Sequence, residues 1–262
     1  MSRLLFSRRV ALTAAGGFFL SSGAVTRSRA NAAEIKVLTS VALTAALDQL
    51  APKFEQASGK KLDIGYSLIA DVRKRMLAGE TADVIILSRP VMDELQKQDK
   101  FAPGSVVDIA GTAVALAIRA GAPKPDIGTV EALKQTLLNA KSIVYADPAK
   151  GGASGVYFAH VVDRLGIADQ LKSKTILVPG AQAAEMVAKG EAEIGVGQTS
   201  EIVPVAGAQV LGPLPGEFAS TTVFTGGIGA SSKDPNAAKS LIQFLTGPIA
   251  KPVLTAKGFQ PG

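Results

Sequence analysis

The sequence predicts an α/β protein with two lobes, each a mostly parallel sheet flanked by helices, joined by a two-strand hinge. Three observations support this prediction. Short apolar, β-branched runs alternate with segments of helical periodicity, and the links between them are short. Two long β-type runs, at 106–120 and 220–229, are placed to carry the chain out of a first lobe and back. Between them, residues 142–165 have the pattern of a strand, a glycine-rich turn and a helix.

The first lobe is predicted to contain residues 33–115 and 220–262. Its predicted elements are a strand at 34–40, a helix at 42–56 ended by Gly59, a strand at 61–66, a helix at 69–77, a strand at 82–87, a helix from Pro90 to about Gln98, and closing helices at 236–245 and 248–256. The run at 82–87 is apolar without interruption, which indicates a strand buried on both faces. Strand–helix alternation with short links requires a parallel sheet with right-handed crossovers.

The second lobe is predicted to contain residues 116–219. Its predicted elements are a helix at 129–138 capped by Thr129, a strand at 142–146, a helix after the turn at 150–155, a strand at 175–178, a helix at 181–189 and a strand at 192–197. Pro148 ends the strand at 142–146, because proline lacks an amide hydrogen. The turn that follows offers a candidate helix N-cap.

Residues 1–32 are predicted to be a cleaved export signal. Arg8 and Arg9 precede an apolar stretch at 10–25, and residues 30–32 are small, as a cleavage site requires. The order around the two arginines resembles a twin-arginine signal. An uncleaved anchor is the alternative, but the apolar run is short for a membrane span. We therefore expect a periplasmic protein.

Composition limits the possible partners and chemistry. The net charge is +6, but residues 1–32 hold five arginines and no acid, so nucleic acid and anionic membranes are not expected partners. There is no cysteine, which excludes thiolate chemistry and disulfides, and His160 is the only histidine, which excludes a histidine-rich metal site. We expect a monomer that binds a small anion and uses no cofactor or metal.

Hydroxyl-bearing residues and glycines cluster where predicted strands end and helices begin. Ligands of parallel sheets collect at these ends, and free helix amides there favour an anion. The candidate ligand-binding residues are Ser40, Ser67, Arg73, Gly151, Gly152, Ser154, Gly155, Gln198 and Thr199. The alternatives are ordinary helix capping for the hydroxyls, a plain connection for the turn and a solvated basic face for Arg73.

Five segments, taken in order, are similar to one known family. They are IKVLTSVALTAALDQLAPKFEQASG at the predicted mature N-terminus, LAGETADVII at 77–86, YADPAKGGASGVYFAHVVDRLG at 145–166, KGEAEIGVGQTSE at 189–201 and FLTGPIAKPVLTAKGF at 244–259. They resemble the periplasmic molybdate-binding proteins of ABC importers, in the type 2 periplasmic-binding-protein superfamily. The resemblance implies two α/β lobes on a hinge, an anion in the cleft between them and an importer permease as a partner.

The residues at the family's anion site differ in this chain. The family uses a serine in the first strand–helix loop, a serine-rich run in the second and a tyrosine after the final cleft strand. This chain has Ala42, a single hydroxyl at Ser67, and Gln198 in those places, with the bulky Leu68 and Ile69 beside them. Amides and hydroxyls orient carboxylates well. We therefore expect an organic di- or tricarboxylate as the ligand rather than molybdate.

An isomerase working in the same cleft is the alternative function. Aconitate isomerase, a periplasmic enzyme that interconverts cis- and trans-aconitate, looks like the same family. Such a reaction needs an anion clamp with a proton donor and acceptor near an allylic carbon. The candidates for that role are Tyr66, Asp71, Tyr157, His160 and Glu201, and the sequence does not choose among them.

Overall fold

Ten strands form one curled, mixed sheet flanked by helices in the computed structural model, which describes residues 34–261. The strands are β1 (Glu34–Ser40), β2 (Lys61–Ser67), β3 (Val84–Ser88), β4 (Val107–Arg119), β5 (Ile143–Ala146), β6 (Thr175–Val178), β7 (Ile194–Gln198), β8 (Ala208–Pro213), β9 (Thr221–Ile228) and β10 (Gln260–Pro261). The helices are α1 (Thr44–Ser58), α2 (Ile69–Leu77), α3 (Arg89–Gln96), α4 (Val130–Asn139), α5 (Ala153–Arg164), α6 (Ala168–Lys172), α7 (Ala183–Lys189), α8 (Thr199–Ile202), α9 (Pro235–Thr246) and α10 (Ala250–Ala256). The predicted export signal lies outside the described residues.

The strands follow the order β2-β1-β3-β9-β4-β7-β5-β6, and β8 and β10 pair with β4. β1 is parallel to both β2 and β3, and β5 is parallel to both β6 and β7. Only β4, β9 and their partners introduce antiparallel pairs. Since a parallel pair needs a crossover, the helices between these strands lie on the faces of the sheet. The predicted fold class is confirmed.

Two neighbouring strands connect the two halves of the sheet. β4 pairs with β9 over Val107–Ala113 and then with β7 over Val114–Ala117. The chain returns beside this change of partner, where the Val114 amide donates to the Ser220 carbonyl over 2.9 Å. The two long β-type runs of the sequence are therefore side by side at the junction, as a two-strand hinge requires.

Separate groups of apolar side chains fill the two halves. The first core combines residues between Ile35 and Ala110 with others between Phe224 and Phe259, and it contains the first four residues of β3. All five residues of β3 are buried. The main core of the second half lies between Val114 and Phe218. An uninterrupted apolar strand such as β3 needs cover on both faces. Helix α3 packs against β3, and α1, α2, α9 and α10 add side chains to the same core. The exact lobe boundaries remain a prediction.

The elements differ from the predicted ones mainly at their ends. α5 begins at Ala153, its N-cap is Gly152, and no side chain caps it. Ser154 thus lies within the first turn of the helix instead of capping it. The short helices α6 and α8 were not predicted, because five and four residues are too few to show helical periodicity. No helix of residues 34–261 is both long and apolar enough to cross a membrane.

Candidate functional site

A small cavity of about 20 Å³ lies where strands end and helices begin in both halves of the sheet. Residues 40–42 and 68–69 line it from the first half, and residues 152–154, 180–181 and 198 line it from the second. This volume is close to that of a single water molecule. The walls are therefore almost in contact, so a larger ligand enters only if they separate.

Two helix N-termini meet this cavity without a side-chain cap. Leu68 and Gly152 are the N-caps of α2 and α5, and no side-chain hydrogen bond caps either helix. The first bonds within α2 run from the Asp71 and Val72 amides to the Leu68 carbonyl, and the first within α5 runs from the Val156 amide to the Gly152 carbonyl. Amides of the first turn precede these bonds and have no acceptor within the helix. Together with the positive ends of the two helix dipoles, they favour an anion.

Two buried serines add hydroxyl groups to the wall. Ser40 ends β1, and its Oγ accepts a hydrogen bond from the Ala42 amide over 3.3 Å. Ser154 is 4% exposed and belongs to the uncapped first turn of α5. A hydroxyl both donates and accepts, so either serine can donate to a ligand oxygen.

Gln198 is a buried side chain with one unpaired polar end. It is 2% exposed and lies at the end of β7, and its Nε2 donates to Thr222 Oγ1 over 2.9 Å. Its Oε1 is buried without a partner among the described residues. A carboxamide keeps its shape when it rotates by half a turn, so Thr222 can donate to Oε1 and leave Nε2 as the free donor. In both orientations Gln198 has one hydrogen-bonding group available to a ligand.

Among the described residues, Glu201 is the only ionisable one in the wall of the cavity. Glu201 follows β7 on α8. Its Oε2 accepts a hydrogen bond from the backbone amide of Gln198 over 2.9 Å. Burial raises the pKa of Glu201 to about 7, and the bond from Gln198 opposes this rise. A carboxyl group with this pKa exists in both protonation states near neutral pH, so it can accept or release a proton there.

The structure brings only some of the predicted site residues to the cavity. Ser40, Gly152, Ser154 and Gln198 line it. Arg73 does not, because its guanidinium pairs with Glu94 through two nitrogens. The direction in which Arg73 points depends on how α2 is rotated about its axis, and the sequence pattern does not define that rotation.

The remaining candidates have contacts of their own outside the wall. Ser67 accepts a long hydrogen bond of 3.4 Å from Arg75. Thr199 bonds Thr112 and the Gly258 carbonyl, each over 2.7 Å. These two hydroxyls therefore support neighbouring segments.

Gly151 and Gly155 allow the turn before α5 to pack closely. A Cβ on Gly155 would overlap the Ala146 carbonyl, lying 2.8 Å from its carbon. Gly151 has a φ of +75°, which favours glycine, and a Cβ there would press on Ala70 of α2. These glycines set where the helix start and its neighbours lie.

Of the five candidate proton carriers, only Glu201 lies in the wall. The Tyr66 hydroxyl bonds Asp48, and burial raises the Tyr66 pKa. Tyr157 donates to the Phe218 carbonyl over 3.1 Å. Asp71 and His160 are exposed on their helices. Position in the cavity wall therefore selects Glu201 among the five candidates that the sequence left open.

Gly180 and Ala181 are among the wall residues that were not predicted. They follow β6, which is parallel to β5, so the rule for the ends of parallel strands applies to them as well. The order of β5, β6 and β7 in the sheet decides which strand ends are neighbours, and a single sequence does not give that order.

The chain is similar to known binding proteins and to one enzyme. A family described as "Bacterial extracellular solute-binding protein" matches residues 35–260. Aconitate isomerase from Pseudomonas sp is 33% identical over 233 residues, covering 87% of each chain. The molybdate-binding protein ModA from Azotobacter vinelandii is 28% identical over 240 residues, covering 88% of this chain and 91% of ModA.

Solved structures share the fold at low sequence identity. The periplasmic molybdate-binding protein of Azotobacter vinelandii aligns with a TM-score of 0.70 and 21% identity, covering 86% of this chain and 98% of that one. The sulfate-binding protein SubI from Mycobacterium tuberculosis H37Rv aligns with a TM-score of 0.69 and 19% identity, covering 87% and 86%. The family match spans nearly all of the described residues, and the fold agrees with it. The chain therefore belongs to the bacterial extracellular solute-binding protein family.

Proposed function

We propose that this chain is an exported binding protein that captures a small organic di- or tricarboxylate between its two lobes. The observation that carries the proposal is the meeting of two uncapped helix starts, at Leu68 and Gly152, on one cavity. Ser154 and Gln198 add donors beside them. Backbone amides and hydroxyls bind carboxylate oxygens without a cationic side chain. An importer permease would be the partner that receives the ligand.

The side chains of the wall favour a carboxylate over a tetrahedral metal oxyanion. Ala42 lacks a hydroxyl, and Leu68 and Ile69 present apolar groups to the cavity. A compact oxyanion needs donors around its whole surface, whereas a carboxylic acid has a carbon skeleton that apolar groups can contact. The relative named aconitate isomerase acts on a tricarboxylate, which agrees with this ligand class.

A thermal-shift panel tests the proposal directly. The mature chain is melted with molybdate, tungstate, sulfate, citrate, succinate, cis-aconitate and trans-aconitate. A ligand that binds only the folded state raises the melting temperature in proportion to the logarithm of its concentration. We expect a shift with at least one carboxylate that exceeds any shift with the inorganic anions. A large shift with molybdate alone would overturn the proposal.

We infer a second candidate function, the interconversion of cis- and trans-aconitate, from the position of Glu201. An isomerase of this kind removes one proton from an allylic carbon, shifts the double bond and returns one proton, so that nothing is gained or lost overall. Glu201 is a cavity carboxyl whose pKa of about 7 suits proton transfer at neutral pH. The 33% identity to aconitate isomerase favours the same reaction.

Turnover separates the two candidates. Trace protein is incubated with each aconitate isomer, and ultraviolet absorbance is followed over time. A receptor binds the isomers without changing the spectrum, whereas an isomerase brings both starting solutions to the same final spectrum. The Glu201→Gln variant is the matched control, since it retains the shape of the side chain but cannot carry the proton. Equal rates for this variant and the wild type would exclude Glu201 as the proton carrier.

A further inference from the structure

We propose that Glu201 takes up one proton from solvent when an anion enters the cavity, and then donates a hydrogen bond to that anion. Anion binding by this chain would then be linked to proton uptake. The inference rests on the proposed function, because it assumes that the ligand carries negative charge. It goes further by assigning proton uptake to Glu201, a role that no other wall residue has.

The first step of the argument is the composition of the wall. Within residues 34–261, every wall residue except Glu201 is apolar, a glycine, a serine or a glutamine, so this part of the chain gives the wall no cationic side chain that could neutralise a carboxylate. An ionised Glu201 beside a bound anion would place two negative groups together in a site shielded from water. Such like charges repel strongly at low dielectric, and one of them gains a proton.

The second step is the hydrogen bonding of the Glu201 side chain. Its Oε2 accepts a hydrogen bond from the backbone amide of Gln198, which fixes the carboxyl group at the end of β7. A carboxyl group has two oxygens, and the neutral form carries a proton on one of them. With Oε2 engaged by Gln198, the proton belongs on Oε1, where it forms a donor. Among the residues of the wall, Glu201 would then change from a repelling group to a binding one.

The third step concerns the charged groups on the elements that pack against α8. These are β4, β7, β8 and the turn at 41–43. β7, β8 and the turn carry no charged residue, and β4 carries Asp108 and Arg119 at its two ends. Asp108 pairs with Arg89, and Arg119 lies at the far end of the strand beside Gly190. Lys257 precedes Gly258, whose carbonyl bonds Thr199 on α8.

None of these charges sets the ionisation of Glu201. Burial and the Gln198 amide are the two causes of its pKa, and no charged side chain is among them. The proton is therefore free to follow the charge of the ligand, since no fixed cation holds the carboxylate ionised. This is the condition under which an anionic ligand changes the protonation of the site.

Isothermal titration calorimetry with trans-aconitate tests the inference. Binding is measured from pH 5.5 to 8.5 for the wild type and for Glu201→Gln, which resembles the protonated side chain. Each pH is repeated in two buffers of different ionisation enthalpy, which gives the number of protons taken up. We expect the wild-type affinity to fall up to tenfold per pH unit above pH 7, with uptake of nearly one proton per ligand. Glu201→Gln should lose this dependence and bind more tightly than the wild type at pH 8.5.

Two controls keep the outcome interpretable. Glu191→Gln removes an exposed carboxylate outside the wall, and it should behave like the wild type at every pH. Protonation of trans-aconitate itself affects all variants equally, so it cancels in their comparison. If Glu201→Gln does not fold, carbon-13 NMR of the wild-type Glu201 carboxyl replaces it. The pKa of that carboxyl should rise when trans-aconitate is added.

The possible outcomes separate this inference from the proposed function. Equal pH dependence in the wild type and Glu201→Gln, or an unchanged Glu201 titration, would overturn the inference and leave carboxylate binding intact. Proton-linked binding of molybdate, with no carboxylate bound at any pH, would overturn the proposed ligand class and support the role of Glu201. Absence of binding to any anion in the thermal-shift panel would overturn both.

Discussion

At the scale of single residues, burial decides which of the polar candidates can act. Ser154, Gln198 and Glu201 lie in the cavity wall, whereas Arg73 pairs with Glu94 and His160 is exposed. All of these residues except Glu94 were candidates from the sequence. Residue type indicates what a side chain can do, but its burial and partners depend on tertiary packing. Glu201 illustrates the difference, because its raised pKa results from burial, which the hydrogen bond from the Gln198 backbone amide only partly opposes.

The first residue-scale prediction concerns Ser154. Ser154→Ala should weaken carboxylate binding by about tenfold, because a hydrogen bond to a charged group contributes about 1.5 kcal/mol. Stability should change little, since Ser154 does not cap α5. Calorimetry with trans-aconitate and a thermal melt measure the two effects. Ser240→Ala removes a hydroxyl on α9 that bonds only the Asn236 carbonyl, and it should leave binding unchanged. Unaltered affinity in Ser154→Ala would remove this residue from the site.

The second residue-scale prediction concerns stability and pH. The pKa of Glu201 in the folded protein, about 7, is above its ordinary value of 4.5, so the folded state holds the proton more tightly. The resulting stabilisation is complete below about pH 4.5 and is lost as pH rises through 7. Glu201→Gln does not titrate, so its free energy of unfolding should rise relative to the wild type by up to about 3 kcal/mol between pH 4.5 and 8.

Urea denaturation of both proteins at pH 5, 6, 7 and 8 measures this difference. The other titrating groups are common to the two proteins, so only Glu201 separates their stability curves. Parallel dependence on pH would show that the Glu201 carboxyl is solvated in the folded state, with an ordinary pKa.

At the scale of elements, the position of α5 depends on close contact with the end of β5. Gly155 lies so near the Ala146 carbonyl that no side chain fits between them. This contact brings the uncapped first turn of α5 to the cavity. The sequence suggested that Gly155 binds a ligand, whereas the structure gives it a packing role, and its direct contact with a ligand stays a prediction.

The element-scale prediction compares two glycines of this turn. Gly155→Ala should destabilise the protein by about 3 kcal/mol, because the added methyl group overlaps backbone atoms that cannot move aside easily. Gly152→Ala should cost much less, since a Cβ there lies 3.3 Å from the Ala146 Cβ and 3.9 Å from Leu68 Cδ2. Chemical denaturation measures both. Equal stability of the two variants would contradict the proposed contact with β5.

At the scale of the whole molecule, two lobes meet around a cavity too small for the proposed ligand. The cavity of about 20 Å³ accommodates little more than a water molecule, whereas a tricarboxylate is several times larger. Capture therefore requires the lobes to separate and close again, which the two-strand connection at Val114 and Ser220 permits.

The whole-molecule prediction is that a cross-link between the lobes stops ligand exchange. A Cβ on Gly151 would lie only 2.4 Å from the Ala70 Cβ, so a disulfide between these positions forms once the turn and α2 move apart by about 1 Å. Because the chain has no cysteine, the variant Ala70→Cys/Gly151→Cys contains only this pair. The oxidised form should neither load nor release trans-aconitate, and reduction should restore both.

Equilibrium dialysis measures exchange in the oxidised and reduced states. Each single cysteine variant serves as the control and should exchange ligand in both states. Free exchange in the oxidised double variant would show that ligand reaches the cavity without separation of the lobes.

Much of the fold follows from the sequence, and less of the site does. The observed bounds of β1 and α2 are the predicted ones, because alternation and helical periodicity are local properties. α6 and α8 are too short to show a period. Gly180 and Ala181 line the cavity because β6 lies beside β5 in the sheet. That strand order depends on contacts between distant segments. Several of the proposed ligand donors are backbone amides, which every sequence contains.

The paired crossing of β4 and β9 restricts how the molecule can bend. A single flexible connection would allow one half to rotate about many axes. Two hydrogen-bonded strands side by side favour rotation about one axis. In the proposed closing of the two halves, the same wall atoms would then face one another each time. A change of ligand would need new residues on those walls and no change in the paired strands.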